Sequence, residues 1–227
     1  MATFSGEAQG FPVNFILYTA LFVSFLLALR LYILMKNVGK CKIPEGGRKE
    51  AIKTMLIIGS GGHTSEMLRL ASGLSEMYSP RTYVIADTDV MSEEKVKRFE
   101  TERKNQQGKQ YTISRIPRSR EVHQSWITTV FSTLKATLYA FPMVFKSSPD
   151  LILCNGPGTC IPLCAAALTM TFLGLKKVFL IYVESFCRVD TLSLSGKIMY
   201  HFADKMFVQW PELHEAYPKT TYMGRIV

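Results

Sequence analysis

The sequence contains no CxxC pair and few cysteines. Small secreted domains depend on cysteines for their disulfides, and structural zinc sites depend on them for ligands. The five cysteines are an odd number. Four of them lie in apolar or glycine-rich surroundings: Cys154, Cys160, Cys164 and Cys187. The histidines show no metal-ligand spacing with one another or with the cysteines. This pattern argues against a disulfide framework or a metal site, and it favours a reducing compartment.

Acidic residues are scarce relative to basic ones. The 227 residues include 18 Asp and Glu against 27 Lys and Arg, which gives a formal net charge of +9. This balance suits nucleic acid, an anionic membrane face or a phosphorylated substrate as a partner. Because 48% of the residues are apolar and 20% are charged, the chain can bury a core and is not disordered. Its length suffices for one domain with an appendage, but not for two full Rossmann-type domains.

Charged residues are absent between residues 8 and 29, where Phe, Leu, Val and Ala predominate. The apolar character resumes after Arg30, whose long side chain can reach the membrane interface, and the total length matches the hydrocarbon of a bilayer. A cleaved signal peptide is the alternative, but residues 1–10 contain Glu7 and no Lys or Arg. We therefore predict an uncleaved transmembrane anchor at residues 11–35, which follows a short tail.

Basic residues flank the predicted span on one side only. None precedes it, whereas Arg30 lies near its carboxyl end and five more follow it closely: Lys36, Lys40, Lys42, Arg48 and Lys49. The positive-inside rule therefore places the tail, residues 1–10, in a lumen and the rest of the chain in the cytosol. Residues 36–53 are predicted to form a basic juxtamembrane tether, and residues 54–227 a cytosolic domain.

Short apolar runs alternate with helical periodicity in the predicted domain. The runs that predict strands are residues 54–58, 83–87, 110–116, 150–154, 177–183, 205–209 and 221–223. Helices are predicted at residues 66–77 and 92–103, and residues 161–175 predict a buried core helix. This alternation indicates an α/β fold with a Rossmann-like parallel sheet that has helices on both faces.

Residues 126–145 leave two alternatives open. The segment has the apolar periodicity of a core helix, but it is more aromatic than a buried helix needs, and basic residues surround it. It therefore suits either a helix packed on the sheet or an interfacial helix that dips into the membrane.

Two glycine-rich loops follow predicted strands. Residues 59–64 (GSGGHT) lead from the first strand to the first helix, and residues 155–159 (NGPGT) follow the strand that ends at Cys154. Glycines in such loops allow tight turns and present backbone N–H groups to an anion at a helix start. Because the carboxyl ends of parallel strands meet at one edge of a sheet, both loops are expected to line one crevice.

The first loop matches neither common nucleotide motif. A P-loop needs a lysine before the final Ser or Thr, and His63 stands there. The dinucleotide fingerprint needs glycine at Thr64, although Asp87 or Asp89 could supply its acidic residue. A dinucleotide-binding reductase therefore remains an alternative.

A set of motifs resembles one family. GSGGHT, YVIADTD, RIPRSREV, LCNGPGT, YVES and the final GRIV resemble the membrane-anchoring subunit of the eukaryotic UDP-N-acetylglucosamine transferase. The resemblance covers Thr54 to Val227. The chain is also similar to the amino-terminal half of the bacterial peptidoglycan GlcNAc transferase. The fold implied is therefore the amino-terminal half of a glycosyltransferase-B fold, preceded by one transmembrane helix.

The resemblance implies a subunit that is inactive alone. A separate catalytic subunit would supply the donor-binding half and share UDP-GlcNAc with this chain at the cytosolic face of the endoplasmic reticulum membrane. The pair would add the second GlcNAc to GlcNAc-PP-dolichol during N-linked glycan precursor synthesis. No cofactor is implied. A non-catalytic membrane scaffold, whose glycine loops are relics, is the alternative.

Inverting transfer needs a base near the acceptor hydroxyl and donors that face the phosphates. With the resemblance, His63 and Glu184 are the predicted catalytic residues. The predicted acceptor and phosphate contacts are Gly59, Ser60, Gly61, Gly62, Thr64, Asn155, Gly156, Gly158 and Thr159, and Thr64 is also expected to cap the first helix. The alternatives are a capping or packing role for His63 and an ion pair between Glu184 and Arg188.

Two further sets of residues suggest contacts outside the reacting centre. The basic patch Arg115, Arg118 and Arg120 has few interleaved aromatics, which favours a lipid headgroup or the acceptor pyrophosphate over nucleic acid or a plain solvated loop. The apolar end of the chain predicts burial against its own core or against the partner subunit. Its residues are Tyr222, Gly224, Arg225, Ile226 and Val227.

Overall fold

The computed structural model describes residues 13–37, 50–104, 111–120 and 124–226. The predicted tail, most of the predicted tether and Val227 lie outside the described residues. The chain forms two compact units, Met1–Asn37 and Val38–Val227.

The first unit contains helix α1, Val13–Asn37. Within it, Asn14–Lys36 has a mean hydropathy of 2.0 and buries no residue inside the protein, so it is a candidate membrane span by length and composition. The hydroxyl of Thr19 donates to the carbonyls of Phe15 and Ile16 at 2.9 Å, as Thr side chains within helices commonly do. This unit therefore has the properties of a membrane anchor.

The second unit is built on a seven-stranded parallel sheet in the order β3-β2-β1-β4-β5-β6-β7. Its strands are β1 Thr54–Ile57, β2 Arg81–Ala86, β3 Tyr111–Ile116, β4 Leu151–Asn155, β5 Phe179–Val183, β6 Lys205–Val208 and β7 Thr221–Tyr222. The predicted parallel sheet is confirmed. Strand order reverses between β1 and β4, and the loops after these two strands therefore diverge and open a crevice.

Six helices connect the strands in the part of the second unit that the structure describes. They are α2 Gly62–Ser72, α3 Val90–Lys104, α4 Trp126–Ser147, α5 Cys160–Phe172, α6 Leu194–Phe202 and α7 Pro211–Ala216. The sequence patterns did not predict α6 and α7, which are short. The first helix was expected at residues 66–77, but it begins inside the glycine loop after Gly61, and the N–H of Gly73 closes its last turn on Leu70.

Alternate side chains of the buried strands enter two apolar clusters, one on each face of the sheet. On β1, Met55 and Ile57 belong to the cluster that contains α5 residues, whereas Leu56 and Ile58 belong to the cluster that contains α2 residues. Helix α5 is largely buried, so the expected core helix is confirmed. Burial on both faces explains why these strands are continuous apolar runs in the sequence.

Helix α4 has a buried face and an open one. Ala136, Ala140 and Val144 are fully buried in the core. The opposite face exposes large apolar side chains at helical spacing, each 54–75% accessible: Ile127, Val130, Phe131, Leu134, Leu138 and Tyr139. The helix therefore packs on the domain and also leaves an apolar stripe uncovered within the described residues, which we call the α4 stripe.

A buried ion pair fixes α3 to the sheet. The Arg81 guanidinium of β2 donates to both carboxylate oxygens of Glu100 on α3 at 2.8 Å, and the Tyr83 hydroxyl donates to the same carboxylate at 2.5 Å. All three side chains are at most 1% exposed. In these low-dielectric surroundings, removal of one partner leaves a buried charge uncompensated and strongly destabilises the fold.

Candidate functional site

Two adjoining cavities lie at the carboxyl edge of the sheet, beside the loops that follow β1, β4 and β5. The larger has a volume of about 600 Å³ and the smaller of about 400 Å³. His63, Gly156, Arg188 and Ser193 line both cavities. The two glycine loops therefore line one crevice, as their positions after neighbouring parallel strands predicted.

The larger cavity is cationic. Arg118, Arg120 and Arg188 line it, and so do the starts of α5 at Thr159 and α6 at Ser193. Guanidinium groups bind phosphate oxygens in pairs, and the positive end of a helix dipole favours a nearby anion. This cavity can therefore bind a phosphorylated ligand.

Many of the predicted site residues meet on these walls. Gly59, Ser60, His63, Gly156, Gly158, Thr159, Arg118 and Arg120 line the larger cavity, and Gly62, His63, Gly156 and Glu184 line the smaller one. Among the described residues, Arg115 stands apart from both cavities, because its guanidinium pairs with Glu93 at 2.6 Å. Arg188 lines both cavities instead, although the only role that the sequence suggested for it was an ion pair with Glu184.

Gly59 and Gly156 must be glycine, because a side chain at either position would collide with His63. A Cβ atom on Gly59 would lie 2.7 Å from the Cβ of His63, and a Cβ on Gly156 would lie 2.6 Å from its Cε1. Gly156 also has a φ of +68°, which L side chains rarely adopt. The loop after β4 therefore packs closely against the imidazole, and Gly59 leaves room for the base of the same side chain.

Hydrogen bonds assign the tautomer of His63. Its Nδ1 lies 3.2 Å from Oδ1 of Asn155, whose Nδ2 donates to the carbonyl of Val183 and so turns Oδ1 toward the ring. Because Oδ1 only accepts, Nδ1 carries the proton and Nε2 of the neutral ring keeps its lone pair. Asn155, predicted to contact ligand, thus orients His63 from behind the cavity wall. In that tautomer, Nε2 is the ring nitrogen that can accept a proton.

Thr64 supports the first loop from behind. The N-cap of α2 is Gly61, whose φ is +64°, and no side chain caps the helix. The predicted cap at Thr64 is therefore wrong. Thr64 lies inside the helix, fully buried, and its hydroxyl donates to the carbonyl of Gly59 at 2.5 Å and contacts Ser92 Oγ at 2.7 Å. Neither Thr64 nor Gly61 is among the described residues that line these two cavities.

Glu184 joins the end of β5 to the start of α6. Its carboxylate accepts hydrogen bonds from the N–H of Ser185 and from the N–H and hydroxyl of Ser193. The carboxylate is thus held by Ser185 and Ser193, and the charge of Arg188, its expected ion-pair partner, also acts on it. Burial raises the pKa of Glu184, and the hydrogen bonds from Ser193 and Ser185 oppose that rise. A Cβ on Gly196 would lie 2.1 Å from its Oε2, so the carboxylate is enclosed at the floor of the smaller cavity.

Glu66 is a wall residue that motif reasoning missed. Its Oε1 accepts a hydrogen bond from Ser185 Oγ at 3.0 Å, and its Oε2 lies 3.7 Å from Nδ1 of His63. The signal was available, because residues three apart on a helix share a face, and Glu66 follows His63 at that spacing.

The end of the chain folds back on its own domain. The Arg225 guanidinium lies 4.9 Å from the ring centre of Trp210 and 5.3 Å from that of Phe186. Ile226 packs against the apolar cluster that includes Val183. The predicted burial of this segment is thus partial, and Tyr222 on the edge strand β7 remains 41% exposed.

Comparison with known proteins identifies the family. The family described as "Oligosaccharide biosynthesis protein Alg14 like" matches residues 54–226. The UDP-N-acetylglucosamine transferase subunit ALG14 of Homo sapiens is 50% identical over 209 residues, which cover 90% of this chain and 94% of the human protein. The chain belongs to the Alg14 family. The Yarrowia lipolytica subunit ALG14 is 40% identical over 216 residues, which cover 95% of this chain and all of that protein.

The fold of this Alg14-family chain is shared with larger glycosyltransferases. The crystal structure of LpCGTa in complex with UDP superposes with a TM-score of 0.52 at 13% identity, over 78% of this chain and 53% of LpCGTa. This chain therefore spans about half the length of LpCGTa. Its Rossmann-like sheet corresponds to one half of a glycosyltransferase-B fold.

Proposed function

We propose that this chain is the membrane-anchoring and acceptor-binding subunit of a heteromeric UDP-GlcNAc transferase. Together with a separate donor-binding subunit, it adds the second GlcNAc to GlcNAc-PP-dolichol on the cytosolic face of the endoplasmic reticulum. The observation that carries the proposal is the larger cavity, where three arginines and two helix starts surround a histidine with a free Nε2. The name of its Alg14 relatives supports the same donor sugar.

The proposed reaction divides its work between two proteins. The chain supplies one half of a two-half fold, and the partner supplies the half that binds UDP-GlcNAc. The diphosphate of the lipid acceptor occupies the cationic cavity, where Arg118, Arg120 and Arg188 neutralise its charge. A bilayer tether keeps this site at the surface where the lipid resides, which raises the effective concentration of the acceptor.

His63 acts as the base in this proposal. Its Nε2 takes the proton of the acceptor hydroxyl while the hydroxyl oxygen bonds to the anomeric carbon of the donor sugar. The bond between that carbon and the diphosphate breaks, and UDP leaves. Asn155 holds the ring in the required tautomer. Glu184, enclosed and fully hydrogen-bonded, maintains the loop around the site rather than accepting the proton.

The α4 stripe supports a second contact with the membrane. Six large apolar side chains on one helical face are costly in water, and they match the apolar face of an interfacial helix. Arg118 and Arg120 precede this helix and line the cationic cavity, so contact of α4 with the bilayer places the cavity near lipid headgroups.

A fluorescent label on α4 tests this contact. In the full chain with Cys41 and Cys187 replaced by serine, a polarity-sensitive dye at Leu134→Cys is expected to shift to the blue in proteoliposomes. Spin-labelled lipids should quench it, because position 134 lies on the stripe. The matched control is Lys95→Cys on α3, which is also exposed. Equal quenching at the two positions would contradict the contact.

Deletion of residues 224–227 tests the partner surface. We expect it to reduce co-purification of the donor-binding subunit by about tenfold or more, the effect of removing an interface hot spot. Arg225→Ala should have a similar effect, because Arg225 presents its guanidinium beside Phe186 and Trp210. Glu215→Ala, an exposed control on α7, should retain the partner. An unfolded domain, seen as a lost thermal transition, or undiminished co-purification would count against this role.

The proposed function as a whole predicts that GlcNAc transfer requires both subunits. Radiolabelled UDP-GlcNAc and a GlcNAc-diphosphate lipid provide the assay. A non-catalytic scaffold would leave transfer unchanged when the cavity residues of this chain are altered.

A further inference from the structure

Glu66 carries a buried carboxylate oxygen without a hydrogen-bond partner. Its Oε2 is inaccessible to solvent and makes no hydrogen bond within the described residues, whereas Oε1 is held by Ser185 Oγ. An unpaired carboxylate oxygen in such a place costs free energy. The nearest basic group is Nδ1 of His63, at 3.7 Å.

The surroundings of His63 change when its ring takes up a proton. In the neutral ring, Nδ1–H donates to Asn155 Oδ1, and Glu66 Oε2 lies 3.7 Å from Nδ1, beyond hydrogen-bond distance. Once Nε2 is protonated as well, the ring is a cation, and Glu66 becomes its counter-ion. The same 3.7 Å contact is then an attraction between opposite charges in a partly buried site.

Other charges near the cavities increase the need for this counter-ion. Arg188 lines both cavities with His63, and Arg118 and Arg120 line the larger one, so they oppose a further positive charge. Glu184 faces the smaller cavity, but Ser185 and Ser193 engage its carboxylate. Among these groups, Glu66 has the carboxylate oxygen closest to the ring.

We propose that Glu66 is a positioning residue that stabilises the protonated form of His63 during glycosyl transfer. The inference rests on the proposed role of His63 as the base. The acceptor proton moves to Nε2 as the new bond to the anomeric carbon forms and UDP departs, and Glu66 offsets the charge that appears on the ring. Water then takes the proton, which restores the neutral histidine.

Glu66→Gln in the full chain, reconstituted with its donor-binding subunit, tests this role. Glutamine keeps an oxygen for Ser185 but removes the charge. We expect kcat to fall by about tenfold to a hundredfold, the effect of one charge-assisted contact, with both KM values within about twofold of wild type. Glu66→Asp should regain part of the loss because it restores the charge. Glu94→Gln, an exposed control on α3, should have wild-type kinetics.

A double-mutant cycle with His63→Ala separates the outcomes. If Glu66 acts through His63, then Glu66→Gln should have no further effect on kcat in the His63→Ala background. An equal loss in both backgrounds, or a raised acceptor KM with kcat retained, would overturn the proposal. Wild-type activity of Glu66→Gln would overturn it as well. Full activity of His63→Ala alone would instead contradict the assignment of His63 as the base, and this outcome is distinct from a failure of the role proposed for Glu66.

Discussion

His63→Ala is expected to reduce GlcNAc transfer by the reconstituted pair by about a hundredfold or more, because removal of a positioned general base typically costs this much. The hydrogen bond to Asn155 and the close approach of Gly156 hold this ring, and the tautomer leaves a lone pair on Nε2. The measurement is kcat with saturating UDP-GlcNAc and saturating GlcNAc-diphosphate lipid.

Two controls give this result its meaning. His201→Ala alters an exposed histidine on α6 and should leave kcat unchanged. Co-purification of the partner and the thermal transition of the domain should survive in His63→Ala, since the ring is partly exposed at the crevice. Full activity of His63→Ala would favour the scaffold interpretation, in which this chain contributes no chemistry.

Glu100→Gln is expected to lower the free energy of unfolding of the domain by about 3 kcal/mol, because it leaves the buried Arg81 guanidinium without a counter-charge. Glu102→Gln on the same helix is the control, since its side chain is exposed and its effect should stay within about 0.5 kcal/mol. Urea denaturation of the full chain in detergent, followed by tryptophan fluorescence, measures both. A change below about 1 kcal/mol for Glu100→Gln would contradict the energetic role of this network.

The same network gives stability a dependence on acid pH. Burial raises the pKa of Glu100, but the hydrogen bonds from Arg81 and Tyr83 and the charges of Arg81 and Arg103 together lower it by more, so the net pKa lies below the ordinary value of 4.5. A carboxyl group with a lowered folded-state pKa stabilises the protein above pH 4.5. That stabilisation is lost as the pH falls from there through the folded-state pKa. Glu100→Gln should therefore show a flatter decline of stability over this acid range than the wild type.

The sheet could be predicted because its strands are buried on both faces. That burial makes β1, β4 and β5 continuous apolar runs, and alternation with helices then indicates a parallel order. The glycine loops could be located for a similar reason, since each directly follows such a run. The boundaries of α2 were less predictable, because the helix begins within the glycine loop, whereas the sequence pattern placed its start after that loop.

The details of the site could not be derived from sequence patterns. Arg115 and Arg118 are equally basic in the sequence, but only the fold directs one to Glu93 and the other to the cavity. Arg188 joins the cavity from the loop after β5, far along the chain from the other arginines. Thr64 lies beside His63 in sequence but on the buried side of α2. Such differences depend on which way each side chain points, which a motif does not specify.

Within our proposal, the chain forms one half of a shared site, and its cavities open at the carboxyl edge of the sheet. A Rossmann-like sheet with a cationic crevice at its carboxyl end can hold an acceptor, but the fold it matches in LpCGTa extends over nearly twice its aligned length. Within our proposal, the missing half is the donor-binding protein, and the reacting groups meet only when the two assemble.

The most direct test compares GlcNAc transfer by this chain alone, by its donor-binding partner alone and by both in one bilayer. Equal amounts of each protein receive radiolabelled UDP-GlcNAc and a GlcNAc-diphosphate lipid, and the labelled lipid product is counted. We predict product only from the combined sample. Turnover at a comparable rate by this chain without its partner would contradict the claim that it forms one wall of a shared active site.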